Sequence, residues 1–298
     1  MGNIGRFLKR RLQPYIKAWL QAEPYSSMSV RASLAALRTQ ALLDSERARD
    51  PKRLLACGFK GYSQNDEDGI LQEIFRRIGT TAKTFMEIGV GWGGIENNTL
   101  YLLLSGWRGL WIEAGTEAVK AIRKGLAAYL ERGQLTLAHQ FVDKDNVDSL
   151  IRGAGLGGEI DLLSIDIDGN DYYVWEAIGA VNPRVVVIEY NATFRPPVSV
   201  VMEYRKDYQG DGTSFFGASL KALEELGARK GYALVGCSIA GVNAFFVRRD
   251  LAQDRFCEPY TAENHYEPPR FSLFLPQLDM FPPGVGVYKV VEPARPRE

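Results

Sequence analysis

The sequence contains few of the residues from which metal centres and covalent cross-links are usually built. Two histidines, His139 and His265, are too few for a His-rich metal site. The three cysteines, Cys57, Cys237 and Cys257, are scattered, odd in number and form no C-x-x-C pair. This pattern argues against a zinc site or a disulfide framework and predicts free thiols in a reducing cytoplasm.

Charge of one sign and long apolar runs are absent as well. Lys+Arg and Asp+Glu number 36 each, so no overall positive field attracts the chain to nucleic acid. No apolar run reaches the roughly 20 residues that span a membrane. The 298 residues, 46% of them hydrophobic, are enough to bury a full core. This composition predicts one large globular domain with additions, or two small domains.

The first 23 residues are basic and amphipathic. Apolar side chains recur at helical spacing from Ile4 to Leu20, and no acid precedes Glu23. Such a helix can lie on an anionic membrane surface, or it can pack on its own domain or on a second copy of the chain. We therefore predict an N-terminal helical extension over residues 1–57, and peripheral membrane contact and homo-oligomerisation are its alternative roles.

A glycine-rich turn follows the first predicted strand. The stretch Thr84–Thr99, T-F-M-E-I-G-V-G-W-G-G-I-E-N-N-T, begins apolar and then places Gly89, Gly91 and Gly94 in the spacing G-x-G-x-x-G. That spacing alone is weak evidence for a dinucleotide, and a purely structural turn is the alternative. Glu87 would repel a pyrophosphate, whereas it can lie beside a cationic ligand such as the amino-acid end of S-adenosylmethionine.

The second predicted strand, residues 109–113, ends in the acid Glu113. In nucleotide-binding α/β folds, an acid at this position can accept hydrogen bonds from both hydroxyls of a ribose. Because S-adenosylmethionine and NAD both carry that ribose, Glu113 does not distinguish between them.

Oxygen-bearing side chains follow two later strands. Asp166 and Asp168 come at the end of the fourth predicted strand, and Glu189 and Asn191 at the end of the fifth. Carboxyl ends of strands hold the ligands in open α/β sheets. Such oxygens suit a hard cation such as Mg²⁺, and they equally suit general-base catalysis without a metal. A solvated acidic rim is the alternative without function.

The pattern beyond residue 190 predicts a long loop, a β-hairpin and a C-terminal arm. A long aromatic-rich connection, residues 191–216, can hold a sugar ring, because loops of this length are usually functional. Two strands near residues 232–236 and 243–248 predict a hairpin at the sheet edge. Beyond residue 250 the chain is rich in proline and predicts a C-terminal arm or lid.

The order of these motifs resembles the class I S-adenosylmethionine-dependent methyltransferases, and within them the FkbM-type group. The resemblance covers residues 58–250 and implies an α/β, Rossmann-like sheet of seven strands, mostly parallel with a C-terminal antiparallel hairpin and with helices on both faces. The motifs that carry it are Tyr62-Ser63-Gln64, E-I-G-V-G-W-G, Glu113, S-I-D-I-D-G, V-I-E-Y-N and N-A-F-F-V-R.

The resemblance also implies S-adenosylmethionine as methyl donor and O-methylation of a hydroxyl on a sugar, glycan or glycosylated natural product. We expect Asp166, Asp168 and Glu189 to be catalytic, and Asp168, Glu189 and Asn191 to hold a metal if one binds. The sequence has D-I-D-G where the group usually has D-V-E-G. The cofactor-binding residues implied by position are Gln64, Glu87, Gly89, Gly91, Asn98, Glu113, Val142, Asp143 and Asp166.

Two rival functions use the same motifs. One is an NAD-dependent oxidoreductase, which shares the glycine turn and the ribose acid. The other is a membrane-surface scaffold that keeps a degenerate methyltransferase domain. We expect a cytoplasmic protein without a nucleic-acid partner, and the basic helix makes the inner face of the membrane the alternative location.

Overall fold

The computed structural model describes residues 30, 32–210, 212–270, 273 and 286–291. Within these residues, one sheet of seven strands forms the centre of the fold, in the order β3-β2-β1-β4-β5-β8-β7. A separate two-stranded sheet pairs β6 with β9. The strands are β1 Thr84–Ile88, β2 Arg108–Glu113, β3 Leu135–His139, β4 Gly158–Ile165, β5 Val181–Glu189, β6 Val200–Met202, β7 Tyr232–Cys237, β8 Asn243–Arg248 and β9 Tyr288–Val290.

Helices surround the sheet, and most of them connect consecutive strands. α1 covers residues 32–43. The others are α2 Glu46–Arg49, α3 Glu67–Ile78, α4 Leu100–Leu104, α5 Thr116–Gly125, α6 Ala127–Glu131, α7 Val147–Gly153, α8 Asp171–Ala177, α9 Leu220–Arg229, α10 Arg249–Ala252 and α11 Ala262–His265, with 3-10 turns at Leu55–Cys57 and Trp92–Gly94.

The central strands are apolar along their whole length because both faces of the sheet are covered. Met86 and Ile88 of β1 pack in one core with residues of α7, α8 and α9. Phe85 of the same strand faces the other core, which includes residues of α3, α4 and α5. Successive side chains of a strand point to opposite faces, so a buried parallel strand must be apolar at nearly every position. The prediction of helices on both faces is confirmed.

The hairpin at the sheet edge is antiparallel, as predicted. β8 pairs antiparallel with β5 on one side and with β7 on the other, whereas β1 to β5 pair parallel. The predicted α/β, Rossmann-like fold of seven strands is therefore confirmed. β1 and β4 are neighbours although β2 and β3 come between them in sequence, which creates a crevice at their carboxyl ends. Ligands bind at such a point in open α/β sheets.

Local contacts set the bounds of two helices. α3 begins only at Glu67, because the carboxylate of Asp68 accepts hydrogen bonds from the backbone N–H groups of Gly61, Tyr62 and Ser63 and holds them in a loop. The helical segment after β2 is divided at Leu126 into α5 and α6.

The small β6–β9 sheet was not predicted. Tyr288–Val290 pair antiparallel with Val200–Met202, so the C-terminal arm lies against the long aromatic connection. The two strands have three residues each and are far apart in sequence, which leaves no local pattern to predict them from.

The predicted basic helix, residues 1–23, lies outside the described residues. Among the helices that the structure does describe, none is both long and apolar enough to cross a membrane.

Candidate functional site

A cavity of about 790 Å³ lies at the carboxyl edge of the sheet. Its volume falls in the range of roughly 300–1,000 Å³ that is typical of small-molecule sites. Its walls come from the segments that follow four adjacent strands: the glycine turn after β1, residues 112–115 after β2, residues 140–142 after β3 and residues 166–170 after β4. Residues 208–210 of the aromatic connection close one side.

Glycine is required at the start of the turn after β1. The backbone of Gly89 has φ 79°, and a Cβ there would lie 1.7 Å from the backbone oxygen of Asp166. Gly91 has φ 71°, and a Cβ there would meet no atom within 4 Å, because the residue borders open space in the cavity. The first glycine therefore brings β1 close to β4, and the second leaves the backbone accessible to a ligand.

Glu113 lies at the end of β2 and lines the cavity. Its carboxylate accepts hydrogen bonds from the backbone N–H groups of Val90 at 2.9 Å, Gly91 at 3.0 Å and Gly115 at 2.6 Å. The acid thus holds the glycine turn in place while facing the cavity. The structure places Glu113 where a ribose contact is feasible, and the contact itself stays a prediction.

Glu87 is buried beneath the cavity, and its carboxylate is engaged by protein groups. It accepts hydrogen bonds from the backbone N–H of Asn98 at 2.9 Å, from the hydroxyl of Ser164 at 3.2 Å and from the hydroxyl of Thr99. Burial raises its pKa to about 7, and these hydrogen bonds oppose the rise. Glu87 therefore positions residues 98–99 and is only partly ionised at neutral pH.

Asn98 does not line the cavity, although we predicted that it binds the cofactor. Its side-chain amide donates to the hydroxyl of Ser164 at 3.1 Å, deep between β1 and β4. Its neighbour Asn97 lines the cavity instead. The Oδ1 atom of Asn97 accepts from the backbone N–H groups of Thr99 at 3.2 Å and Leu100 at 2.8 Å, and so forms a local turn just before α4, whose N-cap is Thr99.

The segment after β3 supplies a third wall. Val142 lines the cavity, together with Gln140 and Phe141, which the sequence analysis did not single out. Asp143, predicted to bind the cofactor, is not part of the lining. Its carboxylate accepts from the backbone N–H groups of Asp145 and Asn146, both at 2.8 Å, and stabilises the turn before α7. Gln64 also lines the cavity, and cofactor binding by Gln64 and Val142 stays a prediction.

Asp166, Asp168 and Glu189 form a carboxylate cluster at the ends of β4 and β5. One carboxylate oxygen from each lies within 4.8 Å of the others. Asp168 has φ 55°, a left-handed conformation that is strained for a residue with a Cβ. The carboxylate of Asp171 stabilises this turn, because it accepts from the backbone N–H groups of Ile167 and Gly169, both at 2.9 Å. The predicted catalytic residues are therefore together.

The carboxylate cluster lacks a compensating cation among the described residues. Burial, followed by the charges of the other acids, raises the pKa of both Asp166 and Glu189 well above the usual range. Burial also raises the pKa of Asp168. The Oε2 atom of Glu189 is buried and has no hydrogen-bond partner in the described part of the chain. The cluster can therefore take up a proton or a cation.

Asn191 was predicted as a third metal ligand, and its amide has another role in the structure. Its Nδ2 donates to the backbone oxygens of Ser214 and Phe216, both at 3.0 Å, while its Oδ1 accepts from the backbone N–H of Thr193 at 3.1 Å. This side chain holds the two ends of the aromatic connection together. We therefore leave it out of the carboxylate cluster.

The aromatic connection reaches the cavity through Tyr208 and Gly210. The Tyr208 hydroxyl donates to the backbone oxygen of Phe215 at 2.7 Å, and the rings of Phe215 and Tyr288 meet edge to face at 5.1 Å. A Cβ on Gly210 would lie 2.6 Å from the Cβ of Asp168, so this part of the connection packs directly on the carboxylate cluster. The C-terminal arm supports this wall from behind.

The charged side chains that line the cavity are all acidic among the residues that the structure describes. No lysine, arginine or histidine belongs to the lining. In their ionised forms these acids attract a cationic ligand and repel phosphate groups. The acids are Glu87, Glu96, Glu113, Asp166 and Asp168.

Comparison with known proteins gives structural neighbours only. No protein-family model matches the chain, and no curated protein matches it. One similar solved structure is magnesium protoporphyrin IX methyltransferase from Synechocystis PCC 6803 with bound S-adenosylmethionine: 13% identity, 62% of this chain and 79% of that chain covered, TM-score 0.41. Another is an O-methyltransferase from Bacillus cereus in complex with S-adenosylhomocysteine: 17% identity, 56% and 67% covered, TM-score 0.35.

A third is a glycopeptide N-methyltransferase in complex with S-adenosylmethionine: 15% identity, 64% of this chain and 96% of that chain covered, TM-score 0.38. These neighbours are methyltransferases of both the O and the N type. Similarity at this level decides neither the ligand nor the reaction of this chain, and the argument for both comes from the cavity itself.

Proposed function

We propose that the cavity binds S-adenosylmethionine and that the chain is an S-adenosylmethionine-dependent methyltransferase. The observation that carries this proposal is the cavity lining, which holds acids and no basic side chain among the described residues. S-adenosylmethionine brings a sulfonium and an ammonium group, both of which such a wall attracts. A dinucleotide would bring a pyrophosphate against the same acids, so the NAD-dependent oxidoreductase is the weaker alternative.

The shape of the cavity supports the same ligand. An adenine would lie against residues 140–142, the ribose against Glu113, and the methionine end beside Gly89, Gly91 and Asp166. These walls follow β3, β2, β1 and β4 in the order of the sheet, so one extended nucleoside can contact all of them. The glycine turn and Glu113 are intact and mutually bonded, which disfavours a scaffold with a degenerate site.

For the reaction, we propose O-methylation of a hydroxyl on a sugar or glycan, as in the FkbM-type enzymes. The carboxylate cluster of Asp166, Asp168 and Glu189 has raised pKa values, and a carboxylate whose pKa is nearer to neutral is a stronger general base. It would take the proton from the acceptor hydroxyl as the oxygen attacks the sulfonium methyl. Tyr208 supplies an aromatic ring to the cavity wall.

The same cluster supports a second role, the binding of Mg²⁺. Hard cations take carboxylate oxygens, and the unpaired Oε2 of Glu189 is the kind of buried atom that a cation would satisfy. Asp168 and Glu189 would be the ligands, with Asp166 in place of the predicted Asn191. A bound cation would lower the pKa of an acceptor hydroxyl.

The test is methyl transfer from tritium-labelled S-adenosylmethionine to a panel of acceptors: nucleotide sugars, lipid-linked glycans and glycosylated natural products. The proposal predicts label in at least one sugar hydroxyl and none in amine-only analogues. A parallel series with EDTA separates the two roles of the cluster. Activity that survives EDTA supports the general-base role of the carboxylate cluster. Activity that is lost with EDTA and returns only with Mg²⁺ supports its role as a cation site. Label found only in amines would overturn O-methylation.

We also propose a cytoplasmic location, a sugar or glycan partner, and a methyltransferase domain over residues 58–250 between the helical extension and the C-terminal arm. The membrane role of residues 1–23 is tested by co-sedimentation with anionic vesicles. Equal partitioning of the full chain and of a chain that lacks residues 1–23 would exclude a contribution from this segment.

A further inference from the structure

An arginine without a charged partner lies at the rim of the cavity, on the side of the carboxylate cluster. Arg205 belongs to the aromatic connection and is exposed, and its side chain forms no hydrogen bond or ion pair with any residue that the structure describes. Its guanidinium lies over two aromatic rings, 5.0 Å from the ring centroid of Phe215 and 5.9 Å from that of Tyr208. The rings restrict the side chain, and its N–H donors stay available to a ligand.

The backbone of Arg205 is also fixed to the cavity wall. The side-chain amide of Asn170, a residue of the lining, donates from Nδ2 to the backbone oxygen of Arg205 at 2.7 Å. Asn170 is buried and follows Asp168 by two residues, so this bond joins Arg205 to the turn that carries the carboxylate cluster. A side chain that is held in this way loses less conformational entropy when it binds a ligand.

The ring of Tyr208 contacts both Arg205 and the turn that carries the cluster. A Cβ on Gly169, the residue after Asp168, would lie 2.5 Å from Cδ1 of this ring. One aromatic side chain therefore spans the separation between the cluster and the guanidinium. A single sugar unit with one charged substituent is large enough to reach both. Arg205 is not part of the cavity lining, so its charge lies at the rim and leaves the interior acidic.

We propose that Arg205 binds an anionic substituent of the acceptor, a phosphate or a carboxylate, while a hydroxyl of the same sugar reaches the carboxylate cluster. This inference rests on the proposed function and narrows the acceptor class to anionic sugars. Arginine presents its donors in a planar fork that matches two oxygens of either group. The ionised acids of the interior repel an anion, so a cation at the rim is the group that can recognise it.

The variant that tests this role is Arg205→Gln, which removes the charge and keeps a polar side chain. The chain saturated with S-adenosylhomocysteine is titrated calorimetrically with glucose 1-phosphate, with glucuronate and with the neutral methyl glucoside. The variant should bind the preferred anionic sugar roughly tenfold or more weakly than the wild type, because a charge-assisted hydrogen bond is lost. Its affinity for methyl glucoside should change less than about threefold, because no charge is involved. The two anionic sugars distinguish a phosphate from a carboxylate.

Lys206→Gln is the matched control, because it removes an equal charge from the adjacent exposed position. It should leave the affinity for each sugar within about threefold of the wild type, since an exposed charge without a direct contact is screened by salt. Equal weakening by both variants, unchanged affinity in Arg205→Gln, or no binding of either anionic sugar to the wild-type chain would overturn the role of Arg205. Failure of the folded wild-type chain to bind S-adenosylhomocysteine would instead overturn the proposed function, so the two failures are distinguishable.

Discussion

The two halves of the cavity differ in how their polar groups are satisfied. In the half that we propose for the methyl donor (the donor half), beside β1 and β2, Glu87 and Glu113 each accept three hydrogen bonds from protein groups. In the half that we propose for the acceptor (the acceptor half), beside β4, Asp166 and Asp168 line the cavity and lie close to Glu189 of β5 without a described cation, and Asp168 has a strained backbone.

This difference indicates different tasks. A preformed, internally bonded wall binds a constant ligand without reorganisation, which is what a shared methyl donor requires. Carboxylates that lie together without a cation repel one another, and a proton, a cation or the hydroxyl of an acceptor can reduce this repulsion. The predictions below test this contrast, from the largest expected effect to the smallest.

Gly89→Ala should have the largest effect, because the new Cβ would meet the backbone oxygen of Asp166 at 1.7 Å. We expect a loss of more than about 4 kcal/mol in the free energy of unfolding, measured with urea, since neither backbone can withdraw from the sheet. Gly91→Ala is the matched control: its Cβ meets nothing, and the left-handed conformation alone costs about 1–2 kcal/mol. Equal losses for the two variants would contradict the close approach of β1 and β4.

Asp168→Asn should separate the two halves of the cavity. Removing a general base or cation ligand lowers kcat by roughly 10²–10⁴-fold, whereas binding of S-adenosylhomocysteine should stay within threefold of the wild type. Initial rates at saturating acceptor and calorimetry on the same samples measure both. Asp207→Asn, at an exposed position of the aromatic connection, is the control. If Asp168→Asn leaves kcat unchanged, the carboxylate cluster has no part in the reaction.

The raised pKa of Glu87 predicts how stability depends on pH. The pKa of Glu87 is about 7 in the folded state and 4.5 in the unfolded state. Protonation of this group therefore stabilises the folded state at low pH. The contribution of this group to stability should therefore fall as the pH rises from 5 to 7, by roughly 2 kcal/mol. The pKa of Asp171, raised by burial to about 6, acts in the same direction.

Glu87→Gln cannot lose a proton in this range, so its denaturation midpoint should change less between pH 5 and pH 8 than that of the wild type. The exposed pair of Glu117 and Lys120 supplies the control, since Glu117→Gln should leave the pH profile unchanged. If the midpoint of Glu87→Gln changes between pH 5 and pH 8 as much as that of the wild type, the raised pKa of Glu87 is contradicted.

Tyr288→Phe should have the smallest effect and tests the support of the acceptor half by the C-terminal arm. It removes the hydroxyl that bonds the backbone N–H of Phe216 at 3.1 Å and the amide of Asn191 at 3.2 Å. We expect a loss of about 1–2 kcal/mol in stability and a higher KM for the acceptor, with donor binding unchanged. Weaker binding of S-adenosylhomocysteine in this variant would show that the arm serves both halves.

The donor half was largely predictable from the sequence. Gly89 follows directly after β1, where the backbone requires a glycine, and Glu113 ends β2, where its carboxylate holds the glycine turn. The acceptor half was predictable only in part. Asp166 and Asp168 follow β4 and Glu189 ends β5, so their meeting could be inferred. Nothing local indicates that the Asn191 side chain bonds to the loop.

The misses share a physical cause, because each depends on contacts between distant segments. Asn98 and Asn97 are adjacent and chemically identical, and only the position of Ser164 on β4 decides which amide turns inward. The pairing of β6 with β9 joins residues about 90 positions apart through strands of three residues. The sequence pattern within either segment is too short to reveal such a contact.

The most direct test of the central claim is calorimetric titration of the full chain with S-adenosylhomocysteine and, separately, with NAD. The acid-lined cavity predicts one site per chain, micromolar affinity for S-adenosylhomocysteine and no detectable heat with NAD. Binding of NAD together with no binding of S-adenosylhomocysteine by a folded sample would contradict the account.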